Sequence, residues 1–379
     1  MRTVVAAMLF VSVTATGAEI RAEPRAKESD TVQRTVLLPP GPSNPRNSEG
    51  DFIQLKDGRM MLVYTHFYGG GGDHAAARLA ARFSSDNGQS WTDKDVEIIA
   101  NEGGLNVMSI SLLRLQSGEI ALFYARKNSL QDCRPLMRTS TDEGSTWSEA
   151  KLCINDEVGY YVLNNDRAVQ LASGRIVLPV ALHNRPDYEK PDWAGRIMCY
   201  LSDDNGRSWR RSENVLVAKN QEGRRVTVQE PGVVQLKDKR LMMFCRSDAG
   251  SQYIAFSEDH GNQWSALQPS NIISPLSPAT IERIPKTGDL LLVWNNHHQV
   301  DEQHQGNRTP YTVAISRDEG KTWEKVNTLE DDPNGWYCYT ALQFVGDQVL
   351  LAHCAGNRPQ GTGLAITQIT RFSLDWLYR

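Results

Sequence analysis

Cysteine is scarce in this chain, six residues in 379, and no Cys-x-x-Cys pair occurs. That excludes a thiol-framed zinc site and a dithiol redox motif. An even number of cysteines permits disulfides, but the density is too low for them to frame the fold. Cys199, Cys245 and Cys354 stand in apolar, strand-like runs and read as buried thiols. Charge of one sign is also missing. Lys plus Arg number 41 against 45 Asp plus Glu, a formal net charge of −4. Such a balance leaves no electrostatic footprint for nucleic acid or for an anionic membrane surface. No apolar run is long enough to span a bilayer, and no long segment shows helical periodicity. The most apolar stretch, Val4 to Val13, follows Arg2 and precedes the small residues Thr16-Gly17-Ala18. This reads as a cleavable export signal over residues 1–22, so a secreted or periplasmic protein is expected. Residues 30–379 are left for the fold, with no linker or low-complexity segment among them.

What the chain has instead is repetition. Ser-x-Asp-x-Gly-x-x-Trp occurs five times, starting at Ser84, Ser140, Ser202, Ser257 and Ser316. The closing tryptophans, Trp91, Trp147, Trp209, Trp264 and Trp323, lie 56, 62, 55 and 59 residues apart. Near-even spacing of this kind signals a repeat architecture. The motif has the chemistry of a turn. Its Asp accepts from nearby backbone N–H groups, its Gly takes a positive φ, and its Trp covers the hairpin with an apolar face.

A second unit recurs six times: an apolar run, a turn, and another apolar run. The copies are 52–64, 112–124, 168–180, 233–245, 281–294 and 342–353, with turns such as Asp57-Gly58 and Ser117-Gly118. They read as hairpins. Six hairpins, five followed by a box strand, predict six four-stranded antiparallel sheets. Packed radially these form an all-β, six-bladed propeller. The sixth unit lacks a box, so its outer strand is expected from Gln33–Leu38, which would close the ring. The boxes belong on the outer rim between third and fourth strands, where they carry no chemistry.

Function is expected where the innermost strands begin and converge on the axis. Those positions offer Arg46, Glu49 and Asp51 in blade 1, Ser109 and Ser111 in blade 2, and Asn164 to Arg167 in blade 3. They offer Glu230 in blade 4, Ser277 in blade 5 and Tyr339 in blade 6. Converging charges are costly unless paired or functional. His66 and His74 flank a run of four glycines, Gly69 to Gly72, and are further candidate contacts, as are His297 and His298. With His304 these histidines match no metal-binding spacing, so no metal and no cofactor are expected. Asn307-Arg308-Thr309 is a glycosylation sequon.

The constellation resembles the sialidase (neuraminidase) superfamily of Asp-box, or BNR-repeat, propellers. VQEPGVVQLKDKRLMMFCRSDAG looks like the segment in which a Glu opens an inner strand and an Arg ends the next, here Glu230 and Arg246. NRTPYTVAISRDEGKTW resembles the segment with the last arginine of the sialidase triad, here Arg308. GWYCYTALQFVGD resembles the segment with the nucleophilic tyrosine, here Tyr339. The first arginine, just before the first inner strand, corresponds to Arg46, with Arg167 as its rival. The acid/base Asp, on a loop before the first box, corresponds to Asp73 in GGGGDH, with Glu49 and Asp51 as rivals.

The resemblance implies a retaining exo-α-sialidase acting on sialylated or other acidic glycans, and the residue types suit it. Arginine forks match a sugar carboxylate bidentately. A neutral phenol avoids the repulsion that an anionic nucleophile would meet, and it needs an adjacent base because its pKa is ~10. Two other readings stay open: a glycan-binding propeller without catalysis, and a propeller enzyme for another acidic polysaccharide. The charges at Glu49, Asp51, Asp166 and Arg167 favour the latter.

Overall fold

The computed structural model describes residues 31–297 and 306–379. The proposed export signal, His298 and His304 lie outside them. The strands form six blades. Blade 1 is Arg46–Gln54, Met60–Phe67, Ala77–Ser84 and Val96–Ile99, paired in that order. Blades 4 and 5 repeat this plan over Val228–Ile273 and Thr280–Glu330. In blade 6 the three strands Gly335–Val345, Gln348–Asn357 and Thr367–Ser373 take their fourth from the N-terminus, where Gln33–Leu38 pairs antiparallel with Thr367–Ser373. Blades 2 and 3 are stitched together. The inner edge of blade 3 is broken into Tyr160–Val162 and Val169–Gln170, both paired with Ile176–Asn184, and Tyr160 also pairs parallel with Cys133 of blade 2.

Closure of the ring is visible in the core. Separate apolar clusters fill the gaps between blades 1 and 2, 2 and 3, 3 and 4, 4 and 5, and 5 and 6. A sixth cluster packs Phe52, Met60 and Leu62 of blade 1 against Ala341, Leu350 and Ala352 of blade 6. Face-to-face packing of twisted sheets thus removes both faces of each blade from water, as a propeller requires.

The boxes are turns between third and fourth strands. In the first, Asp86 accepts from the Ser84 hydroxyl at 2.8 Å and from the Ser90 backbone at 2.9 Å, and Trp91 donates to the Gly88 carbonyl at 3.2 Å. The residue before each box glycine also has positive φ, as at Asn87 (57°) and Asn205 (58°). Box turns also touch the preceding blade. A Cβ on Gly144 would lie 3.2 Å from Met61, and one on Gly261 would lie 3.3 Å from Leu201.

All six cysteines are buried thiols. Cys338 and Cys354 face each other across the first two strands of blade 6.

Candidate active site

The inner strands do not enter the axis as plain ladders. Register shifts interrupt them between Ser48 and Asp51, Met108 and Ser111, Gln229 and Gly232, and Cys338 and Ala341. Each shift is a bulge containing one residue with left-handed backbone: Glu49 (φ 55°), Ser109 (58°), Glu230 (51°) and Tyr339 (56°). Bulges re-aim side chains, and here they turn these four toward one another. They line a common cavity of about 90 Å³ together with Asp73 and Tyr160.

On one side of it the Tyr339 hydroxyl donates to Glu230 Oε1 at 3.3 Å. Arg246 reaches the other carboxylate oxygen at 3.1 Å. The Arg308 guanidinium stands 5.2 Å from the centre of the Tyr339 ring and 5.0 Å from that of Trp336. Four side chains from blades 4, 5 and 6 therefore meet. Burial pushes the Tyr339 phenol above its usual range and the Glu230 charge pushes it further, against the opposing pull of Arg308 and Arg246. Burial lowers the Arg308 value, but nearby Cys338, Tyr339 and Glu230 outweigh it and hold the guanidinium firmly charged.

On the other side Arg46 is 2 % exposed, and its guanidinium donates to Glu49 at 2.6 Å, Asp73 at 2.5 Å and the Ser48 hydroxyl at 2.9 Å. Burial raises the Asp73 carboxyl, but Arg46 outweighs it and holds the group below the ordinary carboxylate range. Glu49 goes the other way: burial raises it more than Arg46 lowers it. Its second oxygen accepts from the Ser109 hydroxyl.

Arg46, Asp73, Glu230, Arg246, Arg308 and Tyr339 are thus gathered around one site. The rivals are not. Arg167 donates to the Ala279 carbonyl at 2.7 Å, and Asp51 accepts from the backbones of Phe52 and Leu112 at 2.6 and 2.7 Å. With Asp166 and Glu282 they line a second cavity of about 1090 Å³ running along the axis away from Tyr339. Asn165 spans the level between, donating to the carbonyls of Gly50 at 2.9 Å and Tyr339 at 3.0 Å. His66 is not at the site: its ring lies 2.8 Å from Asp95, in a network with Tyr64 and Arg82. His74 packs edge-on against Tyr160. His297 sits 2.9 Å from the Asn307 carbonyl, and Asn307 is buried, which removes the sequon from the surface.

Lys127 escaped sequence reasoning. It is buried at the cavity, donates to the Asp73 carbonyl at 2.7 Å, and lies 5.4 Å from the Tyr160 ring centre. In the sequence it is one more charge at the end of an apolar strand. Among the described residues no group of three or more His, Cys, Asp or Glu is placed to hold a metal ion. No helix among them is long and apolar enough to cross a membrane.

A model of the BNR repeat-like domain family matches residues 101–351. A sialidase of Micromonospora viridifaciens is 25% identical over 369 residues, covering 87% of this chain and 50% of that protein. The chain spans about half the length of the curated relatives it matches. Among solved structures, a protein of unknown function from Dyadobacter fermentans superposes with a TM-score of 0.69 at 18% identity, over 90% of this chain and 99% of the other. The NanB sialidase of Streptococcus pneumoniae superposes with a TM-score of 0.69 at 14% identity, over 90% of this chain and 70% of the other. At such identities the structural likeness is one of fold. With the family model spanning well over half of its length, the chain belongs to the BNR repeat-like domain family, within the sialidase superfamily of six-bladed propellers.

Proposed function

We propose that this protein is an exo-acting glycoside hydrolase of the sialidase type, releasing a terminal nonulosonic (sialic) acid from glycans with retention of configuration. The observation that carries the reading is the pairing of the Tyr339 hydroxyl with Glu230, flanked by Arg246 and Arg308. Arg246, Arg308 and Arg46 would hold the sugar carboxylate, whose charge also offsets the repulsion among three guanidinium groups. Asp73 would give its proton to the glycosidic oxygen as the bond to the anomeric carbon breaks. Tyr339 Oη would bond to that carbon while its own proton passes to Glu230. In the second half Asp73 would take a proton from water, the water oxygen would bond to the anomeric carbon, and Tyr339 would leave, regaining its proton from Glu230.

The free-state pair between Arg46 and Asp73 gives this scheme an internal trigger. A carboxylate arriving at Arg46 competes with Asp73 for the guanidinium. Once its partner is shared, the Asp73 carboxyl titrates higher and can hold the proton it must donate. Export through the leading apolar segment belongs to the same reading.

The test is turnover of a fluorogenic α-sialoside, with Tyr339→Phe and Arg246→Ala as controls. Each substitution is expected to cut kcat/KM by on the order of 10²-fold or more, the scale of losing one preorganised partner of the developing charge. Activity that survives both removes the mechanism. One observation favours a second reading, a glycan-binding propeller without catalysis: Arg46 is already fully engaged by Ser48, Glu49 and Asp73. Saturable binding on a glycan array with no released sugar by mass spectrometry would select it.

A further inference from the structure

Trp193 is the most exposed aromatic side chain among the large exposed hydrophobics of the described residues, at 51%. It belongs to the loop between the second and third strands of blade 3. Its ring lies 5.4 Å from that of buried His183 and 6.1 Å, edge-on, from that of Tyr160. Tyr160 lines the cavity and packs edge-on, at 6.5 Å, against His74, the neighbour of Asp73. A continuous aromatic wall therefore leads from beside Asp73 out to solvent. Leu130 and Tyr68, also half-exposed, sit in the corresponding loops of blades 2 and 1.

This wall is rigid. The Val228 backbone donates to the Ala194 carbonyl at 2.8 Å and Asp192 to the His183 carbonyl at 2.6 Å. Gln229 donates to the Trp193 carbonyl at 2.6 Å and accepts from Arg246 at 3.1 Å. One side chain thus ties the exposed tryptophan to the arginine that pairs with Glu230. An indole left in water on a loop pinned at its backbone, and backed by two rings, is costly to expose and suited to cover by a partner.

From this we infer that Trp193, backed by Tyr160 and His183, is a stacking platform for the sugar that follows the scissile bond. The inference rests on the glycosidase reading above. The terminal sugar must put its anomeric carbon at Tyr339 and its glycosidic oxygen at Asp73. What lies past Asp73 is the leaving sugar, and the wall that starts at His74 offers the apolar C–H face of a pyranose an aromatic surface of matching breadth. Trp193 does not line the cavity itself, which places it one ring outward.

The experiment compares sialyllactose with free sialic acid, which carries no second sugar, on wild type, Trp193→Ala and Trp193→Phe. Trp193→Ala should raise KM for sialyllactose about five- to tenfold, the worth of one aromatic stack. Its inhibition constant for free sialic acid should stay within twofold of wild type, and Trp193→Phe should restore most of the loss. An unchanged KM overturns the platform. So does an equal rise for free sialic acid, which would put Trp193 against the terminal sugar. Calorimetry on Tyr339→Phe protein makes the same comparison by binding alone. A wild type that releases no sugar from any α-sialoside defeats the hydrolase reading, while the calorimetric comparison still decides on Trp193.

Discussion

At the scale of single residues, the site is built by backbone that most side chains avoid. Glu49, Ser109, Glu230 and Tyr339 all carry φ between 51° and 58°. Such conformations cost roughly 1–3 kcal/mol each and persist only where the surroundings over-determine them, which is where function tends to sit. The hairpin pattern pointed to these positions as lying just before the inner strands, whereas each stands inside its strand at a bulge. Their left-handed backbone was not legible, since neither Gly nor Asn announces it. Nor was the Arg46 clamp on Asp73, a contact that only the folded Gly-rich loop creates. That clamp has a kinetic signature. In the proposed mechanism Asp73 must be protonated to act as acid, so activity would fall as pH rises through its pKa. In the free protein Arg46 holds that pKa down, and the high-pH limb of kcat/KM, which reports the free state, should lie at acidic pH. With substrate bound the hold is shared, so the corresponding limb of kcat should lie at higher pH. Limbs that coincide in the two profiles would mean that the substrate carboxylate does not compete for Arg46.

At the scale of elements, hairpins and boxes were the legible part. Their signals are local: turn dipeptides between β-rich runs, and a Ser, Asp and Gly that satisfy one another within a few residues. The broken inner strand of blade 3 was not legible, because its second pairing, Tyr160 to Cys133, is set by a neighbouring blade. Loops between second and third strands depend on such tertiary contacts too, and two glycines separate the local from the tertiary cost. Gly195 (φ 82°) and Gly250 (φ 81°) occupy these loops in blades 3 and 4. A Cβ on Gly250 meets nothing within 4 Å, whereas one on Gly195 would lie 2.1 Å from the Val228 carbonyl, two residues before Glu230. Gly250→Ala should therefore lose only the left-handed penalty, about 1–2 kcal/mol. Gly195→Ala adds a backbone collision, by analogy with overpacking about 1–3 kcal/mol more. It should also lower kcat/KM by displacing Val228. Denaturant midpoints for the two variants give the comparison, and equal losses would mean that the blade 3 loop yields freely.

At the scale of the whole molecule, ring closure brings together charges that no local pattern links. Asp51 of blade 1, Asp166 of blade 3 and Glu282 of blade 5 share the axial cavity with Arg167. Asp51 and Asp166 stood out in the sequence as charges at inner-strand starts. Glu282 did not, since it sits mid-strand in IERIP and only the ring turns it to the axis. Burial raises all three carboxyls, and their mutual charges raise Asp51 and Glu282 further, while Arg167 works against this. Asp166 is pushed up to about 6. The sign of the effect on stability follows. A carboxyl with a raised folded-state pKa keeps its proton after the unfolded chain has released its own at ~4. Over that window the folded state binds more protons, so stability falls as pH rises. The fall should start near the ordinary carboxylate value, pass through the Asp166 range and continue above it. Glu282→Gln removes one of the three charges and relieves the other two. Near pH 4.5 wild type holds its protons, and the variant should melt close to it. At pH 8 the variant should melt higher, by roughly 2–4 °C for each kcal/mol of relieved repulsion. Melting curves of the two proteins across pH 4.5 to 8 test this. Parallel curves would mean that the axial carboxylates are already paid for by Arg167 and by water in the cavity. A gap that widens with pH would show that closing this ring stores like charge on its axis.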